Sequence, residues 1–127
     1  MVEPGVIDQI NILEASKKAM LIAVSQLTPQ PDLLFVDGNM KLATNISQQL
    51  IIDGDALSHS IAAASILAKV SRDKYIGELC DKHENLNTFY GLASNKGYGT
   101  AQHIEGIKQH GMTKWHRKTF GICRDYN

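Results

Sequence analysis

One stretch constrains this chain more than any other: GDALSHSIAAASILAKVSRD, Gly54 to Asp73, a run of small and apolar residues that an aspartate precedes and Lys69, Arg72 and Asp73 close. Alanine is the strongest helix former, so the run predicts a helix capped by Ser58 or Ser60 and extending to about His83. Small side chains let another backbone approach closely. Ala62, Ala63, Ala64, Ser65 and Ala68 therefore predict a helix packed tightly against a sheet.

The flanks supply the rest of the layering. Asn11 with Glu14 three residues on has the form of a capping box, and Ile12, Ala15, Ala19, Ala23 and Leu27 follow at helical spacing until Pro29 and Pro31. LLFVD, Leu33 to Asp37, reads as a buried strand with a carboxylate at its carboxyl end; Gln49 to Ile52 is a weaker strand. A loop containing YGLASNKGYGT comes next, then a short helix opened by Thr100 and closed by Gly111. Alternating helices and strands place the chain in the α/β class. At 127 residues, 1–127 is expected to be a single domain.

Charge excludes one class and leaves another. The formal net charge is zero, which argues against a protein that holds nucleic acid by bulk charge alone. Yet Met1 to Leu57 carries Glu3, Asp8, Glu14, Asp32, Asp37, Asp53 and Asp55 against three lysines, whereas Lys96, Lys108, Lys114, Arg117, Lys118 and Arg124 make the far end basic. An acidic region suited to cations precedes a basic tail suited to phosphate. Cys80 and Cys123 form no metal-binding spacing and read as reduced thiols. With no signal peptide and no apolar run of bilayer length, the expected location is cytoplasmic.

Taken singly, Asp37 before Gly38 is a turn aspartate and Asp55 a helix-entry charge. Together, a strand end and a helix entrance can deliver two carboxylates to a hard divalent cation such as Mg²⁺. Such a site suits phosphodiester hydrolysis.

The succession VDG (Val36 to Gly38), GD (Gly54, Asp55), SIAAASILAKVSRD (Ser60 to Asp73), NKGYGT (Asn95 to Thr100), His103 and HRKTF (His116 to Phe120) resembles type 2 ribonuclease H, ribonuclease HII. INILEASKKAM, Ile10 to Met20, is similar to the helix that precedes these motifs in that family. The resemblance is to the family's C-terminal portion. The Asp-Glu pair of its glycine-rich first-strand motif has no counterpart here, Leu57 stands where a basic residue is usual, Asn95 where a histidine is, and Leu92 where an aromatic is.

The resemblance implies a partial ribonuclease H-like fold, a mixed sheet flanked by helices, with a helical C-terminal extension. It implies an endonuclease that cuts RNA in RNA–DNA hybrids, and at single ribonucleotides in duplex DNA, using Mg²⁺ or Mn²⁺ held by four carboxylates. Asp37 and Asp55 match two of the four, as catalytic and metal-holding residues, while Asp53 reads as a solvated loop acid. Tyr98 matches the tyrosine near the ribonucleotide. An aromatic ring there can pack on a sugar and sense its 2′-hydroxyl. Gly97 allows close approach of the strand, and Lys96, Lys69, Arg72, His116 and Arg117 are the further nucleic-acid-binding candidates; Lys69 and Arg72 can equally serve their own helix, with Asp73 as ion-pair partner. Two other outcomes stay open: a non-catalytic nucleic-acid-binding fragment, and a fragment that self-associates through an exposed sheet edge.

Overall fold

The computed structural model describes residues 1–126. Its elements are α1 (Pro4–Ser25), β1 (Leu33–Asp37), β2 (Ser47–Ile51), α2 (Gly54–Leu57), α3 (His59–Lys82), α4 (Glu84–Tyr90), α5 (Leu92–Asn95), α6 (Ala101–His110) and a 3-10 turn at Gly121–Tyr126. This mixture of helix with a two-stranded parallel sheet is the α/β arrangement expected of a partial ribonuclease H-like fold. The chain divides into two compact units. One comprises Met1–Val2 with Ile10–Lys69, the other Glu3–Gln9 with Val70–Asn127.

In the first unit, β1 pairs in parallel with β2 from Leu33 opposite Ser47 to Asp37 opposite Ile51. Strand β1 alternates: Leu34 and Val36 are buried, Leu33, Phe35 and Asp37 exposed. Leu34, Val36 and Leu42 form a small core on which Met20, Leu21 and Val24 of α1 pack. The connection between the strands folds back because Gln48 brackets Leu42, its Oε1 accepting from the Leu42 amide at 2.8 Å and its Nε2 donating to the Leu42 carbonyl at 2.9 Å.

Local signals act as the sequence leads one to expect. Asn11 Oδ1 accepts from the amides of Leu13 at 2.9 Å and Glu14 at 3.1 Å, restarting the helix after a non-helical residue (φ 67°). Only half of a capping box forms, because Glu14 pairs with Lys17 at 2.8 Å instead. Ser58 Oγ accepts from the Ile61 amide at 3.4 Å at the start of α3.

The small-residue face of α3 departs from expectation. Ile61 is buried, but Ala63, Ala64, Ser65 and Ala68 are exposed, and Ile66, Leu67 and Val70 are 63%, 68% and 59% exposed. The sheet has two strands, and the core that Leu34 and Val36 anchor is filled by α1 and the connecting loop. Tight packing of the alanines against a sheet is therefore not found.

In the second unit, Ile76 and Cys80 of α3, Leu86 and Tyr90 of α4, Leu92, Ile107 and Cys123 make one core, with Trp115 and Met112 at its margin. Where the sequence reads as loop, α4 and α5 form on either side of Gly91, which supplies the left-handed cap (φ 62°) that ends one and begins the other. Helix α6 has both expected ends: Thr100 Oγ1 accepts from the His103 amide at 3.3 Å and Gly111 caps the carboxyl end. Both cysteines are free and buried, and burial pushes both thiols up. Among the described residues, no helix is long and apolar enough to cross a membrane.

Candidate active site

Asp37 is the last residue of β1, and its position follows from the strand that the apolar LLFV segment builds. The ladder continues one step further, with the Gly38 amide donating to the Ile51 carbonyl at 2.8 Å. The chain then turns through Asp53, an exposed residue in the left-handed region (φ 54°). Aspartate tolerates that conformation better than most side chains. Gly54 next brings its amide to Asp37 Oδ1 at 2.8 Å, which places the strand end beside the first turn of α2, where Asp55 stands.

The approach favours glycine. A Cβ added at Gly54 would lie 3.1 Å from Asp37 Oδ1 and 3.4 Å from its Cα, and 2.6 Å from Ile61 Cδ1. Gly54 is buried, while Asp37 and Asp55 are exposed. The two acids are hard oxygen donors, the type that Mg²⁺ takes one or two of while keeping water and substrate phosphate, so the residues present fit such an ion. Among the described residues, no group of three or more His, Cys, Asp or Glu side chains is placed to hold a metal.

The second unit holds the NKGYGT loop. Asn95 is buried and uses both ends of its amide: Nδ2 donates to the Tyr90 carbonyl at 2.6 Å and to Thr100 Oγ1 at 3.2 Å, and Oδ1 accepts from the Gly97 amide at 2.9 Å. His103 Nδ1 lies 3.5 Å from the same oxygen. The loop closes with the Tyr98 amide donating to the Asn95 carbonyl at 2.9 Å. Lys96 and Gly97 both have positive φ, 51° and 83°, a conformation that costs a lysine energy and that the Asn95 bonds enforce. The result is a Tyr98 side chain held out to solvent, with the residue 68% exposed.

Arg72 reaches this loop from α3. Its Nη2 donates to the Lys96 carbonyl at 2.8 Å, its guanidinium carbon lies 5.9 Å from the centre of the Tyr98 ring, and its Nη1 is 3.6 Å from Asp73 Oδ1. Lys69 is exposed on α3, one turn earlier.

The HRKTF segment is organised differently from what its basic character leads one to expect. His116 is 9% exposed, its Nδ1 accepts from the Thr113 amide at 3.0 Å, and its ring lies against Tyr90 and His103, with centroids 4.9 and 5.2 Å away. Burial, with His103 nearby, pushes its pKa down to about 4, and burial lowers that of His103 too. The structure thus places His116, a nucleic-acid-binding candidate by sequence, with its ring in the interior of the segment. Among the described residues, its buried Nε2 has no hydrogen-bond partner. Arg117 stacks over Phe120, its guanidinium carbon 3.9 Å from the ring centre.

Two organising residues escape the sequence reading. Asn95 is one; the N-K-G turn signal around it was legible, but its inward contacts were not. Asp8 is the other, its carboxylate accepting from the amides of Lys118 at 2.9 Å and Thr119 at 3.0 Å and from the Thr119 hydroxyl at 2.7 Å. Burial opposes its ionisation, but these bonds and the Lys118 charge outweigh it and hold its carboxyl below the usual range. Over 110 residues of sequence separation, no local signal could have found it.

Residues 3–123 match the family described as Ribonuclease HII. Proteins named ribonuclease HII from Acetivibrio thermocellus and from Bacillus cereus strain ZK / E33L are each 50% identical to it, over 120 and 125 residues. These alignments take in 94% and 98% of the chain but 45% and 47% of the relatives. A third, from Bacillus thuringiensis strain Al Hakam, is 49% identical over 125 residues. The chain thus spans just under half the length of the curated relatives it matches.

Proposed function

This chain belongs to the ribonuclease HII family, and on that footing we propose that it supplies part of a metal-dependent endonuclease site that hydrolyses RNA paired with DNA and cuts at single ribonucleotides in duplex DNA. The observation that carries the reading is the bond from the Gly54 amide to Asp37 Oδ1, which ties the acid at the strand end to the turn bearing Asp55. Asp37 and Asp55 would hold Mg²⁺ or Mn²⁺. When bound, such a cation activates an attacking water and stabilises the leaving oxygen.

The chain's own residues divide the remaining work. The exposed Tyr98 ring would offer a face to a ribose, and the exposed Lys69 with the half-buried Lys96 and Arg117 would meet phosphate, fixing position without reading sequence. A cytoplasmic setting, where such duplexes arise, belongs to the same proposal.

The test is cleavage of an end-labelled DNA duplex carrying one ribonucleotide, with Mg²⁺ or Mn²⁺, by this chain and its Asp37→Asn variant. The expected result is a product ending in a 3′-hydroxyl, reduced roughly a hundredfold or more in the variant while duplex binding persists. Equal cleavage by both would remove Asp37 from the site; neither cleavage nor binding would remove the reading itself. A second reading, assembly of the site from two copies, is favoured by the exposed apolar residues Phe35 (44%) and Leu50 (40%) of the sheet and Ile52 (70%) just beyond β2. It makes cleavage rise faster than linearly with chain concentration.

A further inference from the structure

Arg72 looks in sequence like a phosphate contact. Its surroundings give it other employment. One guanidinium nitrogen is committed to the Lys96 carbonyl at 2.8 Å, and Asp73 stands 3.6 Å from another, offsetting the charge a phosphate would need. The guanidinium also lies within cation–π range of the Tyr98 ring, at 5.9 Å. A Cβ added at Gly97 would stand 3.5 Å from Arg72 Nη2, so the side chain lies directly alongside the loop backbone.

The loop needs such a clamp. Lys96 and Gly97 take successive positive φ angles, and Asn95 holds the turn from its buried side through the Gly97 amide. On the other side lie the Lys96 carbonyl and the exposed Tyr98 ring. Arg72 meets both at once, which a lysine cannot do because a single ammonium lacks the planar fork.

We propose that Arg72 is a positioning residue: by holding the Lys96 carbonyl and flanking the Tyr98 ring, it sets the ring in the orientation that discriminates ribose from deoxyribose, and it is not itself a phosphate contact. The inference rests on the reading of Tyr98 given above, but its structural half is measurable without any nucleic acid.

Amide hydrogen exchange of the whole chain, wild type, Arg72→Ala and Arg72→Lys, is the first experiment. Both variants are expected to exchange the Gly97 and Tyr98 amides roughly tenfold faster, with the core amide of Ile107 unchanged. Unchanged exchange at Gly97 and Tyr98 overturns the clamp. The second experiment measures affinity for an all-DNA duplex and for the same duplex with one ribonucleotide, over a range of salt. Arg72→Ala is expected to erase the ribonucleotide preference as fully as Tyr98→Ala does, to add nothing in the double variant, and to leave the salt slope unchanged; Arg72→Lys should not restore the preference. A slope smaller by about 0.9, with full rescue by lysine, would make Arg72 a phosphate contact and overturn the proposal. If the wild-type chain binds neither duplex, the reading of Tyr98 fails, and the exchange data alone decide whether Arg72 clamps the loop.

Discussion

Replacing Gly106 by alanine sets two physical effects against each other. Gly106 lies inside α6, and by intrinsic propensity alone alanine there should stabilise the helix by about 0.5–1 kcal/mol. The new Cβ, however, would overlap the Phe89 carbonyl oxygen and lie 2.9 Å from Tyr90 Cδ1 and 3.0 Å from the Phe89 carbonyl carbon. Most of that obstacle is backbone, which cannot swing aside. Nor can the two helices simply part, because Leu86, Tyr90 and Ile107, each no more than 2% exposed, fill the space between them and the Tyr90 hydroxyl donates to the Gly111 carbonyl at 2.9 Å. Overpacking costs about 1–3 kcal/mol, and against backbone that cannot yield the upper figure applies, so about 3 kcal/mol less the propensity gain leaves about 2 kcal/mol of net destabilisation. Gly77, inside α3, meets nothing within 4 Å of an added Cβ, and there the propensity gain stands unopposed. In urea unfolding followed by circular dichroism, with a slope of about 2 kcal/mol/M, Gly106→Ala should lower the midpoint by about 1 M and Gly77→Ala raise it by about 0.3–0.5 M. A Gly106→Ala midpoint equal to or above the wild-type value would refute the close crossing of α4 and α6.

Two further outcomes test the second unit. Because the pKa of His116 is pushed down to about 4 in the fold from an ordinary 6.5, its neutral form contributes stability that is fully present above about pH 6.5 and lost as pH falls towards 4. The loss is about 3 kcal/mol at most, and His103 adds to it in the same direction. Urea midpoints at pH 7 and pH 4.5 should therefore fall much further for the wild type than for His116→Gln, and parallel falls would contradict the burial. Thr100→Ala removes the side-chain acceptor of the His103 amide at the start of α6 and a partner of Asn95, and should cost about 1–2 kcal/mol by the same measurement.

What could be read from the sequence was what is local. LLFVD forms the strand it spells, Asn11, Ser58 and Thr100 cap the turns that follow them, and Gly111 ends α6, because each of these effects is settled within about four residues. What could not be read was what distant residues do to one another. Helices α4 and α5 hide in a segment of turn-forming residues because burial of Leu86, Tyr90 and Leu92 outweighs weak helix propensity. The alanines of α3 promised a packed face, but a promise of close approach says nothing of whether a partner is there.

The two acids and Arg72 illustrate the same divide at the site. Spacing could suggest that Asp37 and Asp55 belong together; the structure ties their two segments through the strand ladder and the Gly54 amide, seventeen residues beyond the strand end. For Arg72 the sequence displays a charge and a basic neighbourhood, which is the signature of a phosphate contact. It cannot display that a carbonyl 24 residues away takes one of its nitrogens and that an aspartate beside it offsets its charge. A cation already engaged in this way gains less from a phosphate than an uncommitted one, since the new bond must replace an existing one. The same cation can still govern recognition through the ring it orients, and that is why its salt dependence and its ribose preference should separate.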